Sequence, residues 1–305
     1  PREIEAAFNS IRESTLLKEV YKAFDDSSRI NQENIKDTID DFKKVFCKYT
    51  GVSPDAIQPL GSTGKRLPGQ TSGDIDLGID TSALAKNGID IENKQDWFWF
   101  CKEFSKHANV KYHEFTSRGL SSVDWLIHNA DGKQPDSFVQ IDLVPHKNIE
   151  MLQWGMYQTP EEKGKDYDKS AVRALLLQAI AKEGGIEILE TADIPDEGKD
   201  VPVKIRRHEY KQNDGLFEMI KIRKMKKDGT WTNWIEVKDS KKKISDDPKE
   251  IIDILFGKNK YKPEDLLSVK DVWNAFKSSE YWKDDEIRKN IQQDFEKKMN
   301  IFNIE

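Results

Sequence analysis

The chain has 305 residues, 36% of them hydrophobic and 34% charged, with a net charge of −6. That length buries one large core or two modest ones. No apolar run approaches the roughly 18–20 residues that cross a bilayer, which excludes a helical membrane span and predicts no membrane partner; the net negative charge argues against a protein that coats nucleic acid without specificity.

Residues 3–25 read as a helix with Ile4, Ala7, Phe8, Ile11, Leu16, Leu17, Val20 and Phe24 at its apolar positions. A second helix starts at Asn31 as N-cap, carries Ile35, Ile39, Phe42, Val45 and Phe46 at helical spacing, and ends near Gly51. Ala56–Leu60 reads as a short strand running into a Gly61-Ser62 turn, and Asp74–Ile79 alternates apolar with polar, as a strand does. Trp97–His107 reads as a helix with a dense aromatic face, and Val110–Phe115 as a strand. Val123–His128 and Ser137–Val144 flank the turn-rich Asn129-Ala130-Asp131-Gly132, which predicts an antiparallel hairpin ending at Pro145.

Tyr167–Lys182 reads as a helix with Ala171, Val172, Leu175, Leu176, Ala179 and Ile180 on its apolar side, closed by Gly184-Gly185. Asp193–Pro202 has the composition of a linker. Val203–Lys238 is strand-like, with Asp228-Gly229 as a hairpin turn between Leu216–Met225 and Trp231–Val237. Helices return at Lys249–Phe256, Pro263–Lys277 and Asp284–Phe302. The N-terminal Pro1-Arg2-Glu3-Ile4-Glu5 has no apolar leader core, and Cys47 and Cys101 read as reduced thiols, so the expected location is cytoplasmic.

Charge is unevenly spread. Between Lys199 and Lys243 there are 14 Lys/Arg against 7 Asp/Glu. Arg206, Arg207, Lys221, Arg223, Lys224, Lys226 and Lys227 lie there beside Trp231 and Trp234, a mixture that suits either an RNA backbone with stacked bases or a solvated hairpin packing its tryptophans inward. The Trp97–Phe100 aromatics read as core rather than as a base-stacking platform, while Trp154 and Tyr157 suit either role.

The chemistry concentrates in Asp74, Asp76 and Asp142. Asp74 and Asp76 stand two residues apart and so share one face of a strand, while Ile75, Leu77 and Ile79 take the other. Asp142 sits in the equally apolar Phe138-Val139-Gln140-Ile141-Asp142-Leu143-Val144-Pro145. Carboxylates embedded in apolar strands are costly unless paired or metal-bound, and Mg²⁺ prefers such oxygen ligands together with substrate phosphates. Gly61-Ser62 precedes this pair as a turn able to hold phosphate oxygens through its backbone N–H groups and the Ser hydroxyl.

Gly61-Ser62, Asp74-x-Asp76 and Asp142 resemble the signature of the DNA polymerase β-like nucleotidyltransferase superfamily. Over roughly residues 30–185 the resemblance is to the branch of oligoadenylate synthases, cyclic-oligonucleotide synthases and archaeal-type CCA-adding enzymes. It implies an α+β fold: a nucleotidyltransferase mixed sheet with flanking helices and a C-terminal β-plus-helix module. The implied organisation is N-terminal helices in 1–50, a catalytic core in 51–160, a helical segment completing the NTP site in 161–195, and a β-hairpin and helical module in 196–305.

The implied enzyme moves NMP from an NTP, ATP or CTP foremost, to a hydroxyl: a nucleic-acid 3′ end (RNA or tRNA, held by the basic 199–243 region) or a second nucleotide. Asp74 and Asp76 would hold two Mg²⁺ ions, with Mn²⁺ as a substitute. Asp142 would bind the ion that activates the attacking hydroxyl and would accept its proton, and Gly61 and Ser62 would contact the β/γ phosphates. Lys169, Ser170 and Arg173, on the helix after the third acid, are read either as triphosphate ligands or as a solvated helix face. The alternatives are a non-catalytic nucleotidyltransferase-like interaction protein and nucleotidylylation of a protein or small molecule.

Overall fold

A computed structural model describes residues 23–65, 67–116, 119–158, 170–191, 201–225 and 232–301. They form two compact units, the first over described residues 23–158 and the second over 170–301. The protein is mixed α+β: each unit pairs a five-stranded sheet with helices.

In the first unit a short β1 (Ile30–Asn31) leads into α1 (Gln32–Thr50). Ile35, Ile39, Phe42 and Phe46 give α1 its buried stripe, and Gly51, at φ +76°, closes it in the left-handed conformation that suits glycine. β2 (Ile57–Pro59), β3 (Thr71–Ser72) and β4 (Asp74–Asp80) follow, then α2 (Thr81–Lys86) and α3 (Lys94–Ala108). Asn93 and Asp96 form a reciprocal capping box at the start of α3. β5 (Tyr112–Phe115), β6 (Leu120–Leu126), β7 (Phe138–His146) and α4 (Ile149–Gly155) complete the unit.

The sheet order is β2-β4-β7-β6-β5, with β4 and β7 parallel and the other pairs antiparallel. Its odd-numbered side chains, among them Ile75, Leu77, Ile141, Leu143, Val123 and Trp125, are buried in one core with α1 and α3. Phe42 is central to that core, with ring centroids 5.6 Å from Phe46, 5.8 Å from Phe104 and 5.0 Å from Trp125. Trp97, Phe98 and Phe100 are buried in the same cluster, as expected, whereas Trp99 points outward at 67% exposure. Both cysteines are free thiols.

The second unit begins with α5 (Ser170–Gly184) and β8 (Glu187–Thr191). A long hairpin of β9 (Val201–Lys211) and β10 (Gly215–Met225) pairs eleven residues on each side. β11 (Ile235–Glu236) and β12 (Lys242–Ser245) both add to β10. Then come α6 (Pro248–Phe256), α7 (Val269–Lys277), a short α8 (Glu280–Lys283) and α9 (Asp285–Ile301). Asp294 of α9 pairs with Lys182 of α5 and, at 2.7 Å, with Lys298. Burial alone would raise the Asp294 carboxyl, but these two lysines outweigh it and hold the carboxyl below its ordinary value.

Several boundaries differ from the sequence reading. Most of the helix expected over 3–25 lies outside the described residues, and 23–25 form a bend and turn instead of its last turn. Pro263–Lys277 is broken by Ser268, which caps α7, into a 3₁₀ turn (Pro263–Leu266) and α7. The Asp228-Gly229 turn and the 192–200 part of the expected linker lie outside the described residues. Four segments were expected and two units are found: α1 packs into the core of the first sheet, and α5 belongs with the C-terminal sheet.

Two expectations follow. A Cβ at Gly78 of β4 would stand 2.7 Å from Ile149 Cδ1 and 3.0 Å from Leu152 Cδ2 of α4; Gly78→Ala is expected to cost about 1–3 kcal/mol by overpacking, read by urea unfolding. Asp294→Asn is expected to cost about 2–3 kcal/mol at pH 7, less than a fully buried pair because Lys182 stays partly exposed. Because the folded Asp294 carboxyl titrates below its unfolded value, that stabilisation is present above the unfolded value and disappears as pH falls through the folded one. Amide exchange of α5 and α9 in wild type and variant at pH 7 and pH 3 reads this directly.

Candidate functional site

The parallel pairing of β4 with β7 sets Asp76 directly beside Asp142 and Asp74 beside Gln140. The antiparallel neighbour β6 places Ser122 beside Asp142 and Asp124 beside Gln140. Because strands alternate faces, these side chains form one polar row across the sheet, on the side opposite the aromatic core. One ligand atom from each of Asp74, Asp76 and Asp142 lies within 4.8 Å of the others, the closeness expected of carboxylates that share one or two divalent ions. Asp142 is buried and the other two are half-buried. Three converging carboxylates are a hard, all-oxygen donor set, which fits Mg²⁺ or Mn²⁺ and offers nothing to a soft metal.

Asp142 is held by neighbours that the sequence pattern did not single out. Ser122 Oγ donates to its Oδ1 at 2.5 Å, and Gln140 Nε2 donates to the same oxygen at 2.8 Å. The amide oxygen of Gln140 in turn accepts from the backbone N–H of Ala23 at 2.7 Å. Ser122 is fully buried and Gln140 is 3% exposed, so neither donor is exchanged for water without cost. Two donors on one oxygen fix the rotation of the Asp142 carboxylate, the part played by second-layer partners at metal sites.

The Gly61-Ser62 turn is pinned against β4. Leu60 N–H donates to the Asp76 carbonyl at 2.9 Å, and Asp76 N–H donates to Thr63 Oγ1 at 3.0 Å. Gly61 has φ +56°, and a Cβ there would meet Asp76 Oδ2 at 3.5 Å and Gln158 Nε2 at 3.9 Å. The turn therefore abuts the Asp76 carboxylate, with 156–158 on its other side. Thr63 is buried and was missed by the sequence reading; a Thr immediately after Ser62 is a weak signal until its hydroxyl is seen capping Asp76. Of the two aromatics left open, Trp154 is buried, while Tyr157 is half-buried with the Lys65 ammonium 3.7 Å above its ring.

The helix residues fare differently. Ser170 opens α5, half-buried, in the second unit, and Lys169 lies outside the described residues. Arg173 does not lie on a solvated face: it is 1% exposed and donates through Nη1 to the carbonyls of Leu266, at 3.4 Å, and Leu267, at 2.8 Å. Spacing alone could not show this, because α7 and the turn before it cover the helix face that the leucine stripe seemed to leave open.

The basic 199–243 region is also more self-contained than its composition implies. Arg206 pairs with Glu187 at 2.7 Å, Lys211 reaches Asp214 at 3.6 Å, and Lys243 reaches Asp246 at 3.3 Å. Lys241 pairs with Glu209. Arg223 lies over the Trp234 ring at 4.5 Å. Lys226, Lys227 and Trp231 lie outside the described residues.

Among the described residues no helix is long and apolar enough to cross a membrane. Compared with known families and curated proteins, the chain matches no family model and no curated sequence.

An ion on the three acids stabilises the fold by mass action. At a concentration about 100-fold above its Kd, Mg²⁺ is expected to add about 2.7 kcal/mol and raise Tm by several degrees. Asp76→Asn is expected to abolish the rise, and Gln140→Leu to weaken metal affinity by about 10–100-fold with the fold intact. Melting curves in EDTA and across a Mg²⁺ titration measure both.

Proposed function

We propose that the protein is a divalent-metal-dependent nucleotidyltransferase with a polymerase β-like catalytic sheet, moving NMP from an NTP to a hydroxyl. The observation that carries this reading is the in-register adjacency of Asp76 and Asp142, with Asp74 on the same face and the Gly61-Ser62 turn against Asp76.

Asp74, Asp76 and Asp142 would hold the metal, Mg²⁺ foremost. When bound, the metal supplies charge neutralisation to the triphosphate and to the attacking oxygen. The turn at Gly61 and Ser62 binds the β and γ phosphates through backbone N–H groups and the Ser62 hydroxyl. The acceptor oxygen forms a bond to the α-phosphorus as the bond from that phosphorus to the bridging oxygen breaks, and pyrophosphate leaves with the bond's electrons. Asp142 takes the hydroxyl proton. Ser122 and Gln140 keep its carboxylate aligned, so that little reorganisation is needed at the moment of transfer.

A nucleic-acid 3′ end and a second nucleotide are the two acceptor classes. The ion pairs that occupy Arg206, Lys211, Lys241 and Lys243 favour the second nucleotide over a long RNA, because a basic surface that already has carboxylate partners gains less from phosphate. A cytoplasmic NTP pool would supply both donor and acceptor.

Asp74→Asn and Asp142→Asn are each expected to fall below about 1% of wild-type NTP turnover while melting normally. Incubation with each labelled NTP, alone and with total RNA, is expected to place the label in short oligonucleotides without added RNA. Full turnover in either variant would sink the enzymatic reading; label appearing only on added RNA would reverse the choice of acceptor.

A further inference from the structure

A cavity of about 290 Å³ lies within the second unit, between α5, the β9–β10 hairpin and α9. Five cations line it: Lys182, Arg207, Lys211, Lys221 and Lys298. Glu209 is the single carboxylate in the lining, and Lys241 already pairs with it. Lys182 and Lys298 share Asp294, and Lys211 reaches Asp214 at 3.6 Å. Two cations remain under-compensated. Lys221 has no ion-pair partner among the described residues. Arg207 is 7% exposed, its Nε has no hydrogen-bond partner, and its nearest carboxylate, Glu183, is 3.6 Å from Nη2.

A guanidinium that is more than nine-tenths buried, with a donor unmet, is expensive. Such a cost is offset when an anion completes the site, and planar guanidinium donors match phosphate oxygens two at a time. Burial also holds the Lys298 ammonium and the His208 imidazole beside the cavity below their usual values, as expected where cations crowd with little water.

We propose that this cavity is a second, metal-independent binding site for the phosphate chain of a small molecule carrying two or three phosphates. Size sets the class of ligand: the volume is at the low end of the about 300–1,000 Å³ found for small-molecule sites, too small for folded nucleic acid. The site shares no residue with the three-aspartate cluster and does not depend on the catalytic reading. It draws its cations from α5, β9, β10 and α9, so they converge only once the hairpin has paired and α9 has docked on α5.

The test is calorimetric titration of the full chain, in EDTA at 150 mM salt, with inorganic tripolyphosphate, with ATP and with a short single-stranded RNA. One tripolyphosphate per chain is expected, with ATP binding at least as tightly because it presents the same chain. Lys221→Glu is expected to weaken both by about tenfold or more, and Arg207→Lys, which keeps the charge but loses the fork, by a smaller factor. Circular dichroism checks that both variants fold, and Lys221, half-buried on the sheet, is the one expected to fold normally. Asp74→Asn, which disables the proposed catalytic site, is expected to leave metal-free binding unchanged, so failure of one reading is distinguishable from failure of the other. Absence of metal-free binding, binding unmoved by Lys221→Glu, or binding of the RNA without tripolyphosphate would each overturn the proposal.

Discussion

The parallel register between Asp74–Asp80 and Phe138–His146 is the constraint on which the first unit depends. Every residue of one strand has a fixed neighbour in the other, and the alternation of faces turns that register into two surfaces at once. One surface is the aromatic core built on Phe42, Phe104 and Trp125; the other is the acidic row. A slip of one residue would drive Asp74, Asp76 and Asp142 toward α1 and α3 and expose Ile75, Leu77 and Ile141. Burial of those isoleucines and leucines, each worth about 1.5–3 kcal/mol, therefore enforces the closeness of carboxylates that would otherwise repel one another. The hydrophobic effect keeps the polar site assembled.

Much of this was legible in the chain itself. Period-two alternation around Asp74-Ile75-Asp76-Leu77 and Gln140-Ile141-Asp142-Leu143 gives both strands and their acidic face, because alternation is a local property. Which strands are neighbours is non-local, and neither alternation nor composition reports that Asp76 stands beside Asp142. The sequence was silent on the small polar residues that orient Asp142. Ser122 and Gln140 are ordinary strand residues until a partner strand brings them within hydrogen-bonding distance. Arg173 shows the opposite failure. Helical spacing placed it correctly on α5, but its environment is set by Leu266 and Leu267, more than ninety residues away, and no periodicity within one helix reports what covers it.

The basic stretch teaches a related lesson about charge. Composition counted its lysines and arginines against carboxylates in the same stretch, whereas the fold also pairs them with carboxylates outside it: Arg206 with Glu187, Arg207 near Glu183, Lys243 with Asp246. Local excess and spatial excess are different quantities. Two of the under-compensated cations, Arg207 and Lys221, line the cavity between the hairpin and α9, and a charge held in a cavity selects for a compact ligand where one spread along a face selects for a polymer.

Gly78 sets a limit on the acidic row that neither its charge nor its hydrogen bonds reveal. It faces the same way as Asp74 and Asp76, one step further along the strand, and the side chains of Ile149 and Leu152 lie so close above it that even a methyl group would have to displace them. The row is thus walled at its Gly78 end. Anything that reaches the carboxylates can extend only about 7 Å along β4, two residues' rise, before meeting Ile149 and Leu152. Under the proposed function, a nucleotide on the carboxylates has the Gly61 turn against Asp76 on one side and Ile149 and Leu152 beyond it, so a position without a side chain sets how much room lies along β4.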